Sequence, residues 1–127
     1  CFDLLHAGHI SYLEAAKDFG DILIIGLNSD KSVTNIKGID RPINSEIDRA
    51  KILASIEVVD YVIIFEQDTP YELIKVIKPD ILVKGADYKP EEVVGNDLVN
   101  ELKLIPLLKG KSSTNTIKKI INKKIKI

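Results

Sequence analysis

The chain opens with Cys1-Phe2-Asp3-Leu4-Leu5-His6-Ala7-Gly8-His9, the stretch from which the fold can be predicted. His6 and His9 are three residues apart, which places both imidazoles on one face of a helix. Apolar residues then recur at helical spacing, so we predict a helix that begins near Gly8. The first N–H groups of a helix have no internal partner, and the helix dipole favours negative charge there. Two imidazoles at such a helix start predict a phosphate-binding site.

Short apolar runs follow the motif and alternate with helical patterns. The runs occupy residues 21–28, 60–65, 81–83 and 102–108, the last of them interrupted by Pro106. Near-continuous apolar runs of this kind are typical of strands that are covered on both faces. The alternation of strands and helices predicts an α/β fold with a Rossmann-like, three-layer, doubly wound parallel sheet, formed by a single domain over residues 1–127.

The segments between the runs carry helix and turn signals. We predict a loop over residues 29–42, followed by a helix that Asn44 or Ser45 caps. The stretch Thr69-Pro70-Tyr71-Glu72 predicts a capping box with proline at the first helical position. A last helix is expected to open at Ser112.

Nothing strand-like stands ahead of the first helix. Cys1-Phe2-Asp3 reads as the end of a loop that leads from a strand into a helix. In a parallel sheet of this type that strand would lie in the middle. We therefore expect the sheet to lack its first strand, the domain to be incomplete at its N-terminus, and the natural polypeptide to begin upstream.

Polar side chains follow the ends of two predicted strands. One group runs from Lys84 to Tyr88, and the other from Ser112 to Thr114. Ligands of doubly wound sheets bind beyond the carboxyl ends of the strands. We therefore expect both groups to lie on the same side of the molecule as His6 and His9.

Composition and charge exclude several classes of function. The net charge is −1, from 18 basic and 19 acidic residues, whereas nucleic-acid binding needs a basic excess. No apolar run approaches the ~20 residues of a membrane span, and a basic segment followed by an apolar signal-peptide core is not expected. A single cysteine fits a reducing compartment. We expect a cytoplasmic protein that binds neither nucleic acid nor membrane.

Four ordered blocks resemble the motifs of one enzyme family, the cytidylyltransferase-like nucleotidyltransferases. The first is the HxGH motif at His6 and His9. The others are Lys37-Gly38-Ile39-Asp40-Arg41-Pro42, Leu82-Val83-Lys84-Gly85-Ala86-Asp87-Tyr88-Lys89-Pro90-Glu91-Glu92, and Ser112-Ser113-Thr114-Asn115. Within the family the chain is more similar to the adenylyltransferase domains of ADP-heptose synthases than to glycerol-3-phosphate cytidylyltransferases. The latter carry an arginine where this chain has Leu107, which favours the adenylyl interpretation.

The resemblance implies roles for individual residues. The predicted catalytic residues are His6, His9 and Lys37. The predicted nucleotide-binding residues are Cys1, Phe2, His6, Gly8, His9, Gly85, Asp87, Ser112, Ser113 and Thr114. The predicted acceptor-binding residues are Asp3, Lys37, Arg49, Lys84 and Tyr88.

Each of these residues also has a simpler interpretation. Two histidines at this spacing could bind zinc, although a catalytic zinc needs a third protein ligand and none is expected here. Hydroxyls such as Ser112 commonly cap helices, and Lys37 could be a solvated surface lysine. Asp3 could make a hydrogen bond that stabilises a loop or caps a helix. Residues 84–88 could be an ordinary turn between a strand and a helix.

The resemblance also implies the reaction. ATP and D-glycero-β-D-manno-heptose 1-phosphate are the expected substrates, with Mg²⁺ bound mostly by the phosphate oxygens. A cytidylyltransferase for an alcohol phosphate such as glycerol 3-phosphate is the nearest alternative, and a non-catalytic nucleotide-binding regulatory module is the alternative of another class. We expect a homo-oligomer that is fused to, or works with, a sugar kinase.

Overall fold

The computed structural model describes residues 2–86, 89–106 and 117. Helices and strands alternate along these residues, as the sequence predicts. The elements in chain order are α1 (Ala7–Asp18), β1 (Ile24–Asn28), α2 (Asp30–Lys37), α3 (Glu46–Ala54), β2 (Tyr61–Phe65), α4 (Tyr71–Ile77), β3 (Ile81–Gly85), two single 3-10 turns (Pro90–Glu92 and Asn96–Leu98) and β4 (Glu101–Ile105).

The strands pair in parallel. β1 lies beside β2 with Ile24 opposite Tyr61, and β3 lies beside β4 with Gly85 opposite Ile105. The α/β class and the parallel direction within each pair are therefore confirmed. Among the described residues the strands form two separate pairs, and β1 and β3 are not bonded to each other. The strand expected ahead of Cys1 stays a prediction.

The core lies on one face of β1. Ile25 and Leu27 point from this strand toward Leu13 of α1 and Leu53 of α3, and all four side chains are buried. Burial of this apolar surface is the main favourable contribution to folding. The core therefore fixes the helix that carries the histidines against the strand that follows it.

The opposite face of β1 and β2 is partly open to solvent. Ile24, Tyr61 and Ile63 are 37%, 60% and 36% exposed. α4 packs close to the middle of β1 on this face, where a Cβ at Gly26 would lie 3.1 Å from Leu73 Cδ2. On this face the strands are therefore covered only in part, because an apolar run alone does not reveal how far a second layer extends over it.

The segment predicted as a loop over residues 29–42 contains a helix, α2. Ser29 caps it by accepting a hydrogen bond from Ser32 N at 3.2 Å, and Val33 on its inner face is 1% exposed. A good cap and one buried apolar side chain outweigh the turn-forming residues that suggested a loop. Lys37 consequently lies at the end of a helix, and Gly38, with φ +107°, follows it.

The other predicted helix boundaries have different outcomes. Ser45 caps α3 by accepting from Asp48 N at 3.2 Å, as expected. The capping box predicted for residues 69–72 is wrong: α4 begins at Tyr71, one residue later than predicted, with Pro70 at the N-cap and no side-chain hydrogen bond to cap the helix. β4 ends immediately before Pro106, which has no N–H for the ladder.

Of the helix predicted from Ser112, the structure describes only Ile117, which is helical, so the extent of this helix stays a prediction. Of the helices in the described ranges, none combines the length and the apolar character that crossing a membrane requires.

Candidate active site

His6 forms the start of α1. Its backbone is extended, with φ −144° and ψ 174°, and its Nδ1 accepts a hydrogen bond from His9 N at 3.4 Å. His6 O also accepts from His9 N and Ile10 N, at 3.0 and 3.3 Å. The predicted helix start is confirmed to within one residue. Because Nδ1 accepts, the proton of a neutral His6 ring belongs on Nε2.

The two imidazoles stack on each other. Their centroids are 3.9 Å apart and the rings are inclined by 19°. The ring of Phe2 packs on His9 with a centroid distance of 5.0 Å, and Phe2 itself has the left-handed φ of 51°. A non-glycine residue in this region stores strain that the surrounding structure must offset, a pattern that is common at functional sites.

His9 is poised as a neutral group. Burial lowers the pKa of its imidazole to about 4, and the nearby His6 adds electrostatic repulsion against a second charge. Its Nδ1 is buried and has no hydrogen-bond partner in the described part of the chain. A buried polar atom in this state is costly unless a ligand completes it, and a phosphate oxygen could do so.

Asp3 organises the loop that joins α2 to α3. Its buried carboxylate accepts hydrogen bonds from Ile43 N, Asn44 N and Arg41 Nε at 2.8–3.0 Å. Asn44 Nδ2 also donates to the backbone oxygen of Asp3 at 2.9 Å. Burial would raise the pKa of Asp3, but the hydrogen bonds from Asn44, Ile43 and Arg41 outweigh it and hold the pKa below its usual range. The structure therefore gives Asp3 the loop role rather than the predicted contact with the acceptor.

Arg49 is a structural residue. Its side chain is fully enclosed and donates from Nε to Asn44 O, from Nη1 to Asn28 O and from Nη2 to Asp30 Oδ1, at 2.9–3.0 Å. These bonds join α3 to the end of β1 and the start of α2. Its donors face two backbone oxygens and the half-exposed carboxylate of Asp30, so the structure gives Arg49 a role in the fold rather than the predicted contact with the acceptor.

Lys37 ends α2 with its side chain exposed. It makes no hydrogen bond or ion pair within the part of the chain that the structure describes. Gly38, its neighbour, begins the loop that Asp3 anchors at Ile43 and Asn44. Lys37 is thus an exposed cation beside a fixed loop, and its role in acceptor binding stays a prediction.

The end of β3 lies beside the helix that carries the histidines. Tyr12, on α1, donates its hydroxyl to Val83 O at 3.1 Å. The next residues are Lys84, which is half-buried, and Gly85, which is buried and ends the strand. The roles predicted for Phe2, Gly8, Lys84 and Gly85 in ligand binding stay predictions. Cys1, Asp87, Tyr88, Ser112, Ser113 and Thr114 lie outside the described residues.

Sequence reasoning gave no individual role to Arg41 and considered Asn44 only as a possible helix cap, whereas both bind Asp3 with their side chains. They are 38 and 41 residues away from Asp3 in the chain. No spacing rule connects positions so far apart. The only signal was that Arg41 belongs to one of the four motif blocks.

The zinc interpretation of the histidines requires a third protein ligand. Over residues 2–86, 89–106 and 117, no three His, Cys, Asp or Glu side chains come together as metal ligands. A site for a metal held by side chains is therefore not visible in these ranges.

Comparison with known proteins identifies similar chains over nearly the whole length. The model of a family described as cytidylyltransferase-like matches residues 1–125. The chain is 61% identical over 120 residues to "Bifunctional protein HldE" of a Nitratiruptor species, covering 94% of this chain and 26% of that protein. The protein of the same name from Aliarcobacter butzleri is 62% identical, covering 94% of this chain and 25% of the relative. This chain thus spans about a quarter of the length of these relatives.

A solved structure has the same fold. It is described as the lipopolysaccharide core biosynthesis protein from Thermoplasma volcanium GSS1. The TM-score is 0.71 and the sequence identity 28%, over 83% of this chain and 90% of that one.

Proposed function

This chain belongs to the cytidylyltransferase-like family of nucleotidyltransferases, and we propose that it transfers an adenylyl group from ATP to D-glycero-β-D-manno-heptose 1-phosphate. The products are ADP-heptose, a precursor for lipopolysaccharide, and pyrophosphate. The resemblance of its motif blocks to the adenylyltransferase domains of ADP-heptose synthases supports ATP and heptose phosphate as substrates. The description of the solved neighbour as a lipopolysaccharide core biosynthesis protein is consistent with this choice.

One observation carries the proposal: the stacked pair of His6 and His9 at the N-terminus of α1. The pair combines imidazoles with the unpaired N–H groups of a helix start, a combination that suits phosphate. Burial favours the neutral form of His9, which keeps one ring N–H as a donor. Neutral donors bind phosphate oxygens without requiring the site to hold two buried positive charges.

The chemistry needs no nucleophile from the protein. An oxygen of the acceptor's phosphate attacks the α-phosphorus of ATP in line and forms the new P–O bond. The bond between the α-phosphorus and the oxygen that bridges it to the β-phosphorus breaks, and pyrophosphate leaves with that electron pair. Negative charge builds on the bridging oxygen and the α-phosphate, where His6 and His9 would donate hydrogen bonds. Positioning and charge stabilisation then account for catalysis.

Magnesium is proposed to enter with the triphosphate. The described side chains offer no carboxylate cluster for it, so oxygens of the substrate itself would be its main ligands. Bound there, Mg²⁺ would supply charge neutralisation on the phosphates. Removing divalent cations with a chelator should stop turnover, and adding Mg²⁺ back should restore it.

Two alternatives have distinct signatures. A cytidylyltransferase for glycerol 3-phosphate would release pyrophosphate from CTP rather than ATP. A regulatory module would bind nucleotide but release no pyrophosphate with any acceptor.

The test is a panel of nucleoside triphosphates against several phosphomonoesters, with pyrophosphate release as the readout. The panel should contain ATP, CTP, heptose 1-phosphate as both anomers, and glycerol 3-phosphate. We expect release only with ATP and the β-anomer of the heptose phosphate. Preference for CTP would overturn the adenylyl assignment, and no release with any pair would overturn the enzymatic one.

The wider context is also a proposal. The relatives are named bifunctional, and this chain matches about a quarter of each, which supports fusion to, or cooperation with, a sugar kinase. We further propose a homo-oligomer that acts in the cytoplasm. Size-exclusion chromatography with light scattering would test the oligomeric state.

A further inference from the structure

Arg41 is the only cation in the loop between α2 and α3, and it is held at three points. Its N–H donates to Gly38 O at 3.2 Å, and its carbonyl accepts from Thr34 Oγ1 at 2.7 Å. Its side chain donates from Nε to Asp3 Oδ2 at 3.0 Å. The backbone and the inner end of the guanidinium are therefore both fixed before any ligand arrives.

The two terminal nitrogens of the guanidinium, Nη1 and Nη2, make no hydrogen bond to the described part of the chain, although the side chain is only 13% exposed. Asp3 accepts no hydrogen bond from Nη1 or Nη2, because its oxygens also accept the N–H groups of Ile43 and Asn44. Four N–H donors at the outer end of the side chain are therefore available to a ligand. The planar fork of arginine matches carboxylate and phosphate.

The guanidinium is tied to the same short segment as the histidines. Asp3, which binds Arg41, is the neighbour of Phe2, and the Phe2 ring packs on His9. His6 follows three residues after Asp3. One chain segment therefore carries the anchor of Arg41 and the two imidazoles.

We infer that Arg41 binds the phosphate of the acceptor through Nη1 and Nη2, and that Asp3 is the positioning residue that aims it. The inference rests on the proposed function, and it names a binding residue within that reaction. Asp3 acts through Arg41 and does not itself touch the acceptor.

Asp3 makes this binding effective in two ways. It fixes a long side chain in advance, so that less conformational entropy is lost when the acceptor binds. It also offsets the positive charge of the guanidinium while the site is empty. Lys37, exposed and unpaired among the described residues, would add a second and less ordered positive charge.

The experiment uses the full chain and four variants: Arg41→Gln, Arg41→Lys, Asp3→Asn, and Lys51→Gln as a control that removes an exposed cation from α3. Binding of heptose 1-phosphate is measured by calorimetry in the presence of a non-hydrolysable ATP analogue. Turnover is measured separately as pyrophosphate release. Melting curves and affinity for the ATP analogue identify variants that are simply misfolded.

Arg41→Gln should weaken acceptor binding roughly 10- to 100-fold, the usual effect of losing hydrogen bonds to a charged group. Arg41→Lys should recover only part of this loss, because an ammonium has no fork. Asp3→Asn should weaken acceptor binding, and adding it to Arg41→Gln should have little further effect. Affinity for the ATP analogue should stay unchanged in Arg41→Gln and Lys51→Gln.

Several results would overturn the inference. Equal acceptor affinity in wild type and Arg41→Gln would do so, as would a wild type that binds no phosphomonoester. Fully additive effects of Asp3→Asn and Arg41→Gln would remove the positioning role from Asp3. Acceptor binding without turnover would instead contradict the proposed function and leave the assignment of Arg41 supported.

Discussion

The imidazole of His9 lies against that of His6, with 3.9 Å between the ring centroids. Each ring lies within the electrostatic reach of the other, so a proton on one opposes a proton on the second. The stacking also orients both rings at the start of α1. A charge on either ring therefore opposes a charge on the other, and burial favours the neutral form of His9.

Replacement of His9 should separate catalysis from binding. His9→Ala is expected to lower turnover by about two to three orders of magnitude, the usual cost of one preorganised donor. ATP affinity should change much less, because the hydrogen bond strengthens in the transition state. Single-turnover kinetics and ATP titration measure the two effects. Ser11→Ala, at an exposed position on the same helix, is the control. A loss of ATP affinity with turnover retained at saturation would make His9 a binding residue only.

The stability of the protein should fall with pH in a defined window. The pKa of His9 is about 4 in the folded protein against 6.5 as its ordinary value. The unfolded chain therefore takes up a proton between these pH values that the folded protein does not, and stability falls as pH falls from about 6.5 to about 4. Urea unfolding across this range should show a shallower decline in His9→Asn than in wild type. Identical slopes would mean that His9 does not resist protonation.

Replacement of Lys37, at the end of α2, tests whether this lysine contributes to acceptor binding. Lys37→Ala should reduce kcat/KM for the acceptor roughly ten- to a hundredfold, as expected for a charged contact. ATP binding without acceptor and the melting temperature should be nearly unchanged, because an exposed lysine contributes little to folding. Added salt should weaken acceptor binding more in wild type than in the variant.

Lys31→Ala is the matched control for Lys37, since Lys31 is an exposed lysine near the other end of the same helix. Its kinetics should equal those of wild type. If Lys37→Ala also behaves as wild type, Lys37 is a solvated surface residue. A collapse of ATP binding would move Lys37 to the triphosphate.

Arg49 should affect stability rather than acceptor binding. Arg49→Ala leaves Asn28 O and Asn44 O without their donors and is expected to cost about 2–4 kcal/mol of unfolding free energy. The acceptor KM of the folded fraction should stay close to wild type. Urea unfolding measures the loss, with Lys51→Ala on the exposed face of α3 as the control. Unchanged stability with a raised acceptor KM would restore Arg49 to the substrate site.

Gly95 should not tolerate a side chain. Its φ is +90°, and a Cβ there would lie 2.5 Å from Cδ1 of the buried Ile74. We expect Gly95→Ala to destabilise the fold by about 2–4 kcal/mol, from backbone strain and overpacking together. Gly20→Ala, at a site where nothing lies within 4 Å, should change stability by less than about 0.5 kcal/mol. Thermal unfolding of both variants provides the comparison, and equal melting temperatures would contradict it.

Local patterns predicted the elements of the fold well and its layers less well. Helical spacing after His9 and the apolar runs placed α1 and the four strands, because these signals depend on residues close in the chain. α2 was missed because its one buried apolar side chain, Val33, gives almost no periodicity over eight residues. The exposed faces of Ile24 and Tyr61 were missed because coverage depends on elements elsewhere in the chain.

The candidate site shows the same division. The HxGH motif is a local signal, and it led directly to the helix start and the histidine pair. A local signal could not show which of Arg41 and Arg49 is a structural residue, because both lie in or just after the same loop and carry the same charge. Only the fold decides that Arg49 turns inward to Asn28 O while Arg41 meets Asp3.

The carboxylate of Asp3 has a consequence for motion. The amides of Ile43 and Asn44 belong to a surface loop, yet both donate to a buried acceptor that lies 40 and 41 residues away in the chain. Their hydrogens should exchange with solvent as slowly as those of the core, since exchange requires these bonds to open. We therefore expect the loop at Ile43 and Asn44 and the segment from Asp3 to His9 to open together, as one cooperative unit.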